Sequence, residues 1–230
     1  MCQVILTGSN INQGIMSIGT YSFYNCTSLT DFEMPDTVTA VGTYAFYNCT
    51  SMTAIKLSNK MSVLSDYLFN TCTSLETFNF PASLTQIGSY VFNGCTSLSG
   101  ADLVIPEGVT AIGDYAFSNC KNITSITVPN SVNSIGNGAF MGTNPTKVTL
   151  PFIGNKRTAE NSTGVFGYIF GSTTSSSYSS IPSNAVYQYS TSSYYYSYYI
   201  PKTIKEVIIT NDTRIPANAF HNCSWIENIN

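Results

Sequence analysis

The residue types that most often carry chemistry are scarce in this chain of 230 residues, which has one histidine, His221. A Ser-His or Cys-His nucleophile system would depend on that residue alone. His221 follows a phenylalanine, and the positions after the equivalent phenylalanines hold tyrosine, asparagine or serine: Tyr24, Tyr47, Asn70, Asn93 and Ser118. Such variation is typical of a surface position. The sequence therefore predicts a protein that is not an enzyme.

The seven cysteines are the next candidates for reactive or metal-binding residues. Six of them recur at one position of a repeat. These are Cys26, Cys49, Cys72, Cys95, Cys120 and Cys223, with Thr143 at the corresponding position of one copy. No Cys-x-x-Cys pair occurs, so a zinc site is not expected. Neighbouring cysteines could form disulfides if their Cα atoms lie about 4.4–6.8 Å apart. Free cysteine is often buried, and we favour reduced, buried thiols. Cys2 lies outside the register and could be a free reactive thiol.

The twelve carboxylates form no pair of the kind that a hydrolase needs. Asp31 and Glu33 flank one strand residue, but the equivalent pairs in other copies are not both acidic: Ala54/Lys56, Thr77/Asn79 and Ser125/Thr127. An acidic pair that occurs in only one copy of the repeat is typical of a solvent-exposed strand edge and not of a glycosidase. The sequence also lacks a Gly-rich phosphate loop. We therefore expect no catalytic residue, no metal and no cofactor.

The composition limits the classes of partner that this chain is expected to bind. Nine Lys and Arg against twelve Asp and Glu give a net charge of -3 without a basic cluster, which argues against nucleic acid. Charged residues make up only 9% of the chain, so Ser, Thr, Asn and Tyr must form most of the polar surface. No apolar run reaches the roughly eighteen residues of a transmembrane helix. The opening MCQVILTGSN lacks the basic and apolar regions of a signal peptide.

A repeat positions these residues: GTYSFYNCTSLTDF, residues 19–32, returns as GTYAFYNCTSMTAI at 42–55. Its phenylalanine recurs mostly at intervals of 23 residues, once at 25 and once at 80: Phe23, Phe46, Phe69, Phe92, Phe117, Phe140 and Phe220. A period between about 20 and 50 residues indicates a solenoid, in which each unit buries its apolar face only against its neighbours.

Each unit contains one short strand and one return segment. Alternation such as Phe78-Asn79-Phe80 predicts two side chains directed inward and one outward. The strands of stacked units would form a parallel sheet, and proline after many of them would end the pairing. The Ile-Gly-x-Tyr-Ala-Phe segment would then return the chain on the opposite side, with glycine permitting a tight turn.

The units resemble BspA-type leucine-rich repeats, which NITSITVPNSVNSIGNGAF, residues 122–140, follows almost residue by residue. The resemblance covers roughly residues 11–151 and 200–230. It implies a repeat solenoid: a right-handed leucine-rich-repeat stack of units of about 23 residues. A parallel β-sheet would form one face, and irregular or short helical return segments the other. It also implies an extracellular or cell-surface location and a role in adhesion, although fold alone does not determine function.

The repeat is interrupted by a Ser/Tyr-rich insertion at residues 152–203. Nine of the sixteen tyrosines fall between Tyr168 and Tyr199. VYQY and YYYSYYI each suggest a strand with a turn between them, so the tyrosines could pack onto the solenoid. They could instead contact a partner, since exposed Tyr and Ser suit recognition, or the segment could be disordered. VFGYIFG, residues 165–171, is expected to replace a return segment and to lie in the core.

We therefore expect one solenoid over residues 1–230, in a chain that is a piece of a longer protein because both ends fall inside a unit. It would bind host or microbial proteins or glycans, with no nucleic-acid partner and no membrane span. The candidate contact residues lie on the strands and in the insertion: Glu33, Lys56, Asn79, Thr127, Thr149, Tyr194, Tyr195, Tyr196, Tyr198 and Tyr199. A passive spacer is the alternative, and a carbohydrate-processing enzyme a weaker one. An exposed apolar patch would favour binding over the spacer.

Overall fold

The computed structural model describes residues 14–98, 102–172, 186–191 and 194–230, which form a parallel β-solenoid of about 8 turns. Helix is almost absent: within these residues the helical segments are two 3₁₀ helices, Asn161–Thr163 and Phe166–Phe170. The leucine-rich-repeat solenoid predicted from the period is confirmed.

One face of the solenoid is a row of parallel strands that we call the strand ladder. Its members are β2 (Asp31–Glu33), β4 (Ala54–Lys56), β6 (Thr77–Phe78), β8 (Asp102–Val104), β10 (Ser125–Thr127), β12 (Lys147–Leu150), β15 (Glu206–Ile209) and β16 (Asn228–Ile229). The pairs Ala54↔Thr77 and Asp102↔Ser125 place each residue beside its counterpart one repeat later. In β4 the side chain of Ile55 is buried between exposed Ala54 and Lys56, which is the alternation expected of a strand with one wet face.

The return segments carry a second ladder of two-residue strands, the return ladder. Its members are β1 (Ser17–Ile18), β3 (Ala40–Val41), β5 (Val63–Leu64), β7 (Gln86–Ile87), β9 (Ala111–Ile112) and β11 (Ser134–Ile135). Of the two forms expected for these segments, the described repeats adopt the irregular one, with hydrogen-bonded turns after each short strand. A glycine follows five of the six short strands, and Ser65 follows β5. Neighbouring turns approach closely there: a Cβ at Gly136 would lie 2.3 Å from the backbone nitrogen of Asp114.

The core consists of apolar columns that run along the solenoid axis. The phenylalanines stack from Phe23 to Phe140, with centroid distances between 4.8 and 5.8 Å. All of them except the terminal Phe23 are fully buried. Offset stacking of this kind adds to the hydrophobic gain of burial, so every rung stabilises both of its neighbours.

The strand ladder is divided between β6 and β8, where the phenylalanine interval is 25 residues. The two parts are the sheets β2-β4-β6 and β8-β10-β12-β15-β16. The return ladder stays paired at this point through β7 and β9, and Phe92 stacks on Phe117 at 5.3 Å. The solenoid therefore continues on one side and opens on the other.

The insertion is built into the stack. Its strands β13 (Val186–Thr191) and β14 (Tyr194–Tyr198) form an antiparallel hairpin, as one of the three alternatives predicted. β12, before the insertion, pairs directly with β15, after it, as Val148 does with Val207. The strand ladder therefore continues without a gap at the insertion. The 3₁₀ helix Phe166–Phe170 takes the place of a return segment, because Phe140 N–H donates to the carbonyl of Ile169 (2.9 Å). Its residues Phe166, Gly167, Ile169 and Phe170 are buried, which confirms the expected core role of VFGYIFG.

Candidate interaction surfaces

The strand-face candidates Glu33 and Lys56 lie on neighbouring rungs and form an ion pair with each other (2.5 Å). Both side chains are mostly exposed, so the pair contributes little to stability. Two further pairs, Lys147–Glu206 (3.0 Å) and Lys205–Glu227 (2.9 Å), lie on later rungs. Much of the charge on this face is therefore internally neutralised.

The other strand-face candidates, Asn79, Thr127 and Thr149, occupy the same outward register on different rungs. Thr127 and Thr149 are paired neighbours in β10 and β12, and both are half-buried. Asn79 is exposed and lies at the division of the ladder. The structure thus brings Thr127 and Thr149 together and separates them from Asn79.

A cleft of about 330 Å³ opens at the division between β6 and β8. Its lining includes Phe78 and Phe80, which are half-exposed, and Val104, which is 56% exposed. Both phenylalanines pack against the buried ring of Phe92. Sequence alternation predicted that Phe78 and Phe80 point inward, and they do, but the division leaves part of each ring accessible. Asp102 lies in the same lining.

The insertion tyrosines do not form one contact surface. Tyr198 is 1% exposed, and its hydroxyl donates to the carbonyl of Ser162 (2.8 Å). Burial raises the pKa of this phenol well above its usual value. The prediction of Tyr198 as a contact residue is therefore wrong, because the hairpin turns this side chain into the core.

The remaining insertion candidates differ in exposure. Tyr196 is 40% exposed and Tyr199 is half-buried. Tyr194 and Tyr195 belong to β14, where they pair with Thr191 and Tyr189, and their side chains lie outside the described part of the structure. For Tyr196 and Tyr199 the role of partner contact stays a prediction.

Gln188 is a structurally important residue that sequence reasoning missed. It is fully buried; its Oε1 accepts from Gly167 N–H (2.6 Å), and its Nε2 donates to the carbonyl of Ala219 (2.9 Å). One amide thereby joins the hairpin to the 3₁₀ helix and to the next return segment. The only sequence signal was a polar residue at an alternate position of the VYQY strand.

The six cysteines of the repeat register are buried and not joined by disulfides, which confirms the preference for reduced thiols over disulfides. Four of them donate from Sγ to a phenylalanine carbonyl one rung back, as Cys72 does to Phe46 (3.1 Å) and Cys95 to Phe69 (3.2 Å). Burial raises the pKa of the Cys120 thiol to about 12. The Cys120 thiol therefore stays neutral and unreactive, whereas the hydrogen bond with Cys72 lowers the pKa of Cys49. Cys2 lies outside the described residues.

A column of tyrosines on the return side was also missed. The rings of Tyr21, Tyr44, Tyr67, Tyr90 and Tyr115 stack at 5.0, 4.5, 4.7 and 4.9 Å, and all five residues have positive φ. Tyr21 is 55% exposed, and the other four are half-buried. The sequence signal was the tyrosine two positions before each of the first five repeat phenylalanines, Phe23 to Phe117.

The described ranges contain no cluster of three His, Cys, Asp or Glu side chains that could hold a metal ion. His221 is half-buried, and its carbonyl accepts weakly from Gln188 Nε2 (3.4 Å). Over the same residues, no helix has the length and apolar character required to cross a bilayer.

These features define a repeat protein with a parallel strand face, a column-packed core and no recognisable catalytic centre among the described residues. The sequence profile described as BspA type leucine rich repeat region matches in six copies over residues 2–103 and 97–227. The chain therefore belongs to the BspA-type leucine-rich-repeat family. A comparison with curated proteins finds no significant match.

Solved structures of bacterial leucine-rich repeat proteins are similar. A leucine-rich repeat protein of T. pallidum has 30% identity and a TM-score of 0.51, and the alignment covers 59% of this chain and 63% of that one. A leucine-rich repeat protein of Eubacterium ventriosum has 28% identity and a TM-score of 0.51, with 56% and 35% covered. The chain thus spans less than two thirds of either relative.

Proposed function

We propose that the chain is a protein-interaction module, displayed outside the cell, that binds an extended segment of a partner protein in the cleft between β6 and β8. The observation that carries this proposal is the partly exposed apolar lining of that cleft, above all Val104 beside Phe78 and Phe80. Accessible apolar surface in a concave site is typical of recognition and has no use in a passive spacer.

The division of the strand ladder supports an extended ligand. β6 pairs with β4 and β8 pairs with β10, but β6 and β8 do not pair with each other. Edge strands offer backbone donors and acceptors to an added strand, and pockets beside them select alternate side chains. The cleft combines such edges with an aromatic floor.

The charges in the cleft indicate the character of the partner. Its lining includes the carboxylates Glu76 and Asp102, and the described lining contains no lysine or arginine. An acidic rim attracts cationic side chains and gives specificity more than raw affinity. We therefore expect the bound segment to place an apolar or aromatic residue in the cleft with lysine or arginine next to it.

Extracellular display and adhesion rest on the family resemblance. The described strand face carries polar side chains and three neutralised ion pairs on rungs away from the cleft, which suits a module that meets its partner in water. Surface labelling of intact producer cells with a membrane-impermeant biotin reagent tests the location.

Selection from a random peptide display library tests the binding proposal. We expect selected peptides to carry an apolar anchor flanked by lysine or arginine and to lose binding to the variant Val104→Arg, which fills the cleft. Val63→Arg is the matched control, because Val63 is an outward, 40% exposed valine of the return ladder. This control should bind as the parent does.

Two outcomes would contradict the proposal. Peptides that bind parent and Val104→Arg equally would place the site elsewhere. A library that gives no enriched peptide, with both proteins folded by circular dichroism, would favour the spacer. Asp102→Asn should weaken binding by about threefold to tenfold, because it removes one charge from the rim without changing its shape.

A further inference from the structure

A second groove, of about 460 Å³, lies where the insertion rejoins the repeats. One wall comes from the turns that follow Phe117 and Phe140, with Asn119 and Asn144, and the other from the end of the insertion, with Tyr199 and Lys202. Its volume suits a small molecule and not a protein segment.

The amide groups of this groove are oriented by their own hydrogen bonds. Asn119 Nδ2 donates to Asn93 Oδ1 (3.3 Å), and Asn144 Nδ2 donates to the carbonyl of Lys121 (3.1 Å). Within the described residues, no donor reaches the Oδ1 atom of either side chain. Both amides therefore offer acceptors, which a ligand can satisfy only with donors such as hydroxyl groups.

Gly142 keeps one of these acceptors open. A Cβ at this position would lie 2.7 Å from Asn119 Oδ1, and the residue has φ +72°. The equivalent residues of earlier repeats also have positive φ and include Asn48, Thr71 and Gly94, and the side chains of Asn48 and Thr71 contact each other. Gly142 has no side chain that could cover Asn119 Oδ1.

The opposite wall supplies an apolar surface and a positive charge. Tyr199 is half-buried and lies next to Ile200 and Pro201 in the lining, a combination that suits the apolar face of a sugar ring. Lys202 is exposed and forms no ion pair with any described residue, whereas Lys56, Lys147 and Lys205 are paired. The described lining contains no carboxylate.

We propose that this junction groove binds an acidic monosaccharide, such as a uronic or sialic acid at the end of a glycan. A ligand must bring hydroxyl donors to the two amide oxygens, an apolar ring face to Tyr199 and a carboxylate to Lys202. A simple anion has no hydroxyl donors for the amides, and a neutral sugar leaves the ammonium group without a counter-charge. This site is independent of the cleft between β6 and β8.

The single tryptophan reports on this groove. Trp225 Nε1–H donates to the carbonyl of Pro201 (3.2 Å) in the groove lining, and the chain has no other tryptophan. Its emission should change saturably on titration with N-acetylneuraminic acid or glucuronic acid. Glucose should bind at least about tenfold more weakly, because a charge-assisted hydrogen bond is lost.

Variants separate this proposal from a general salt effect. Lys202→Gln should weaken glucuronic acid about tenfold and leave the glucose response unchanged. Gly142→Asn should abolish both responses, because asparagine tolerates positive φ and its side chain covers Asn119. Lys60→Gln is the matched control, since Lys60 is an exposed lysine outside the lining, and it should behave as the parent.

Three results would overturn the proposal. One is the absence of a saturable change below about 10 mM acid sugar. Another is an equal response to acetate or inorganic phosphate, which would identify a simple anion site. The third is full retention of binding in Lys202→Gln. Val104→Arg should leave the titration unchanged, so failure here and failure of the cleft proposal are distinguishable.

Discussion

At the scale of single residues, the cysteines show how a position that is reactive in other proteins becomes structural here. In Cys49, Cys72, Cys95 and Cys120 the buried Sγ lies against a phenylalanine carbonyl of the preceding rung, as Cys120 does with Phe92 (3.1 Å). Burial raises the pKa of the Cys95 thiol well above its usual value and that of Cys120 to about 12. The protonated thiol is thus the form that the fold stabilises.

The raised thiol pKa predicts loss of stability in alkali. The unfolded value is 9.0 and the folded value of Cys120 is about 12, so its stabilising contribution is complete below pH 9 and is lost as the pH rises from 9 towards 12. Each such thiol should lower the free energy of unfolding by about 1.4 kcal/mol per pH unit in that range. Urea unfolding at a series of pH values, up to about pH 10, measures this slope.

The variant Cys120→Ala isolates one thiol in that experiment. It should be less stable at neutral pH because it leaves a cavity, but its stability should fall less steeply between pH 9 and 10. Equal slopes for parent and variant would show that this thiol does not set the alkaline loss.

At the scale of elements, the insertion shows how an interruption can be absorbed by a repeat stack. The 3₁₀ helix Phe166–Phe170 accepts hydrogen bonds from the preceding return segment at Tyr168 and Ile169. Its own Phe166 N–H donates to Ala219 in the following one (2.9 Å). Gln188 then joins the hairpin to both elements. At least Tyr198 of the insertion therefore serves packing and not recognition.

Replacing Gln188 should detach the hairpin. Gln188→Ala leaves the N–H of Gly167 buried without a partner and removes one of the two hydrogen bonds to the carbonyl of Ala219, which should cost about 2–4 kcal/mol of unfolding free energy. Hydrogen exchange should rise at Gly167 and along β13. Tyr196→Ala is the control in the paired strand, since that side chain is 40% exposed. A loss of similar size in both variants would contradict the bridging role.

At the scale of the whole molecule, stability is carried by contacts between neighbouring turns. The division between β6 and β8 leaves residues 14–98 joined to the rest by the return ladder and by the stack of Phe92 on Phe117. Among the described strands, this is the one place between β2 and β16 where successive members of the strand ladder do not pair.

Shortening the phenylalanine stack at this junction should split the unfolding transition. Phe117→Ala should cost about 3–5 kcal/mol and should allow the turns before the division to unfold separately. Phe69→Ala removes the same buried ring inside a continuous part of the ladder, so it should lower stability without a second transition. Calorimetry and hydrogen exchange distinguish the two cases. A single transition in Phe117→Ala would contradict a weak junction.

The sequence alone determined the repeat, its strand and return segments, the buried phenylalanine and cysteine columns and the core role of VFGYIFG, because each follows from local periodicity. Only the tertiary structure decided which tyrosines are accessible, that Gln188 bridges three elements, and where the strand face opens. Those properties depend on contacts between residues tens of positions apart, such as Gln188 with Ala219 or Tyr198 with Ser162. A pattern in the chain records which side of an element is apolar, but not which distant element covers it.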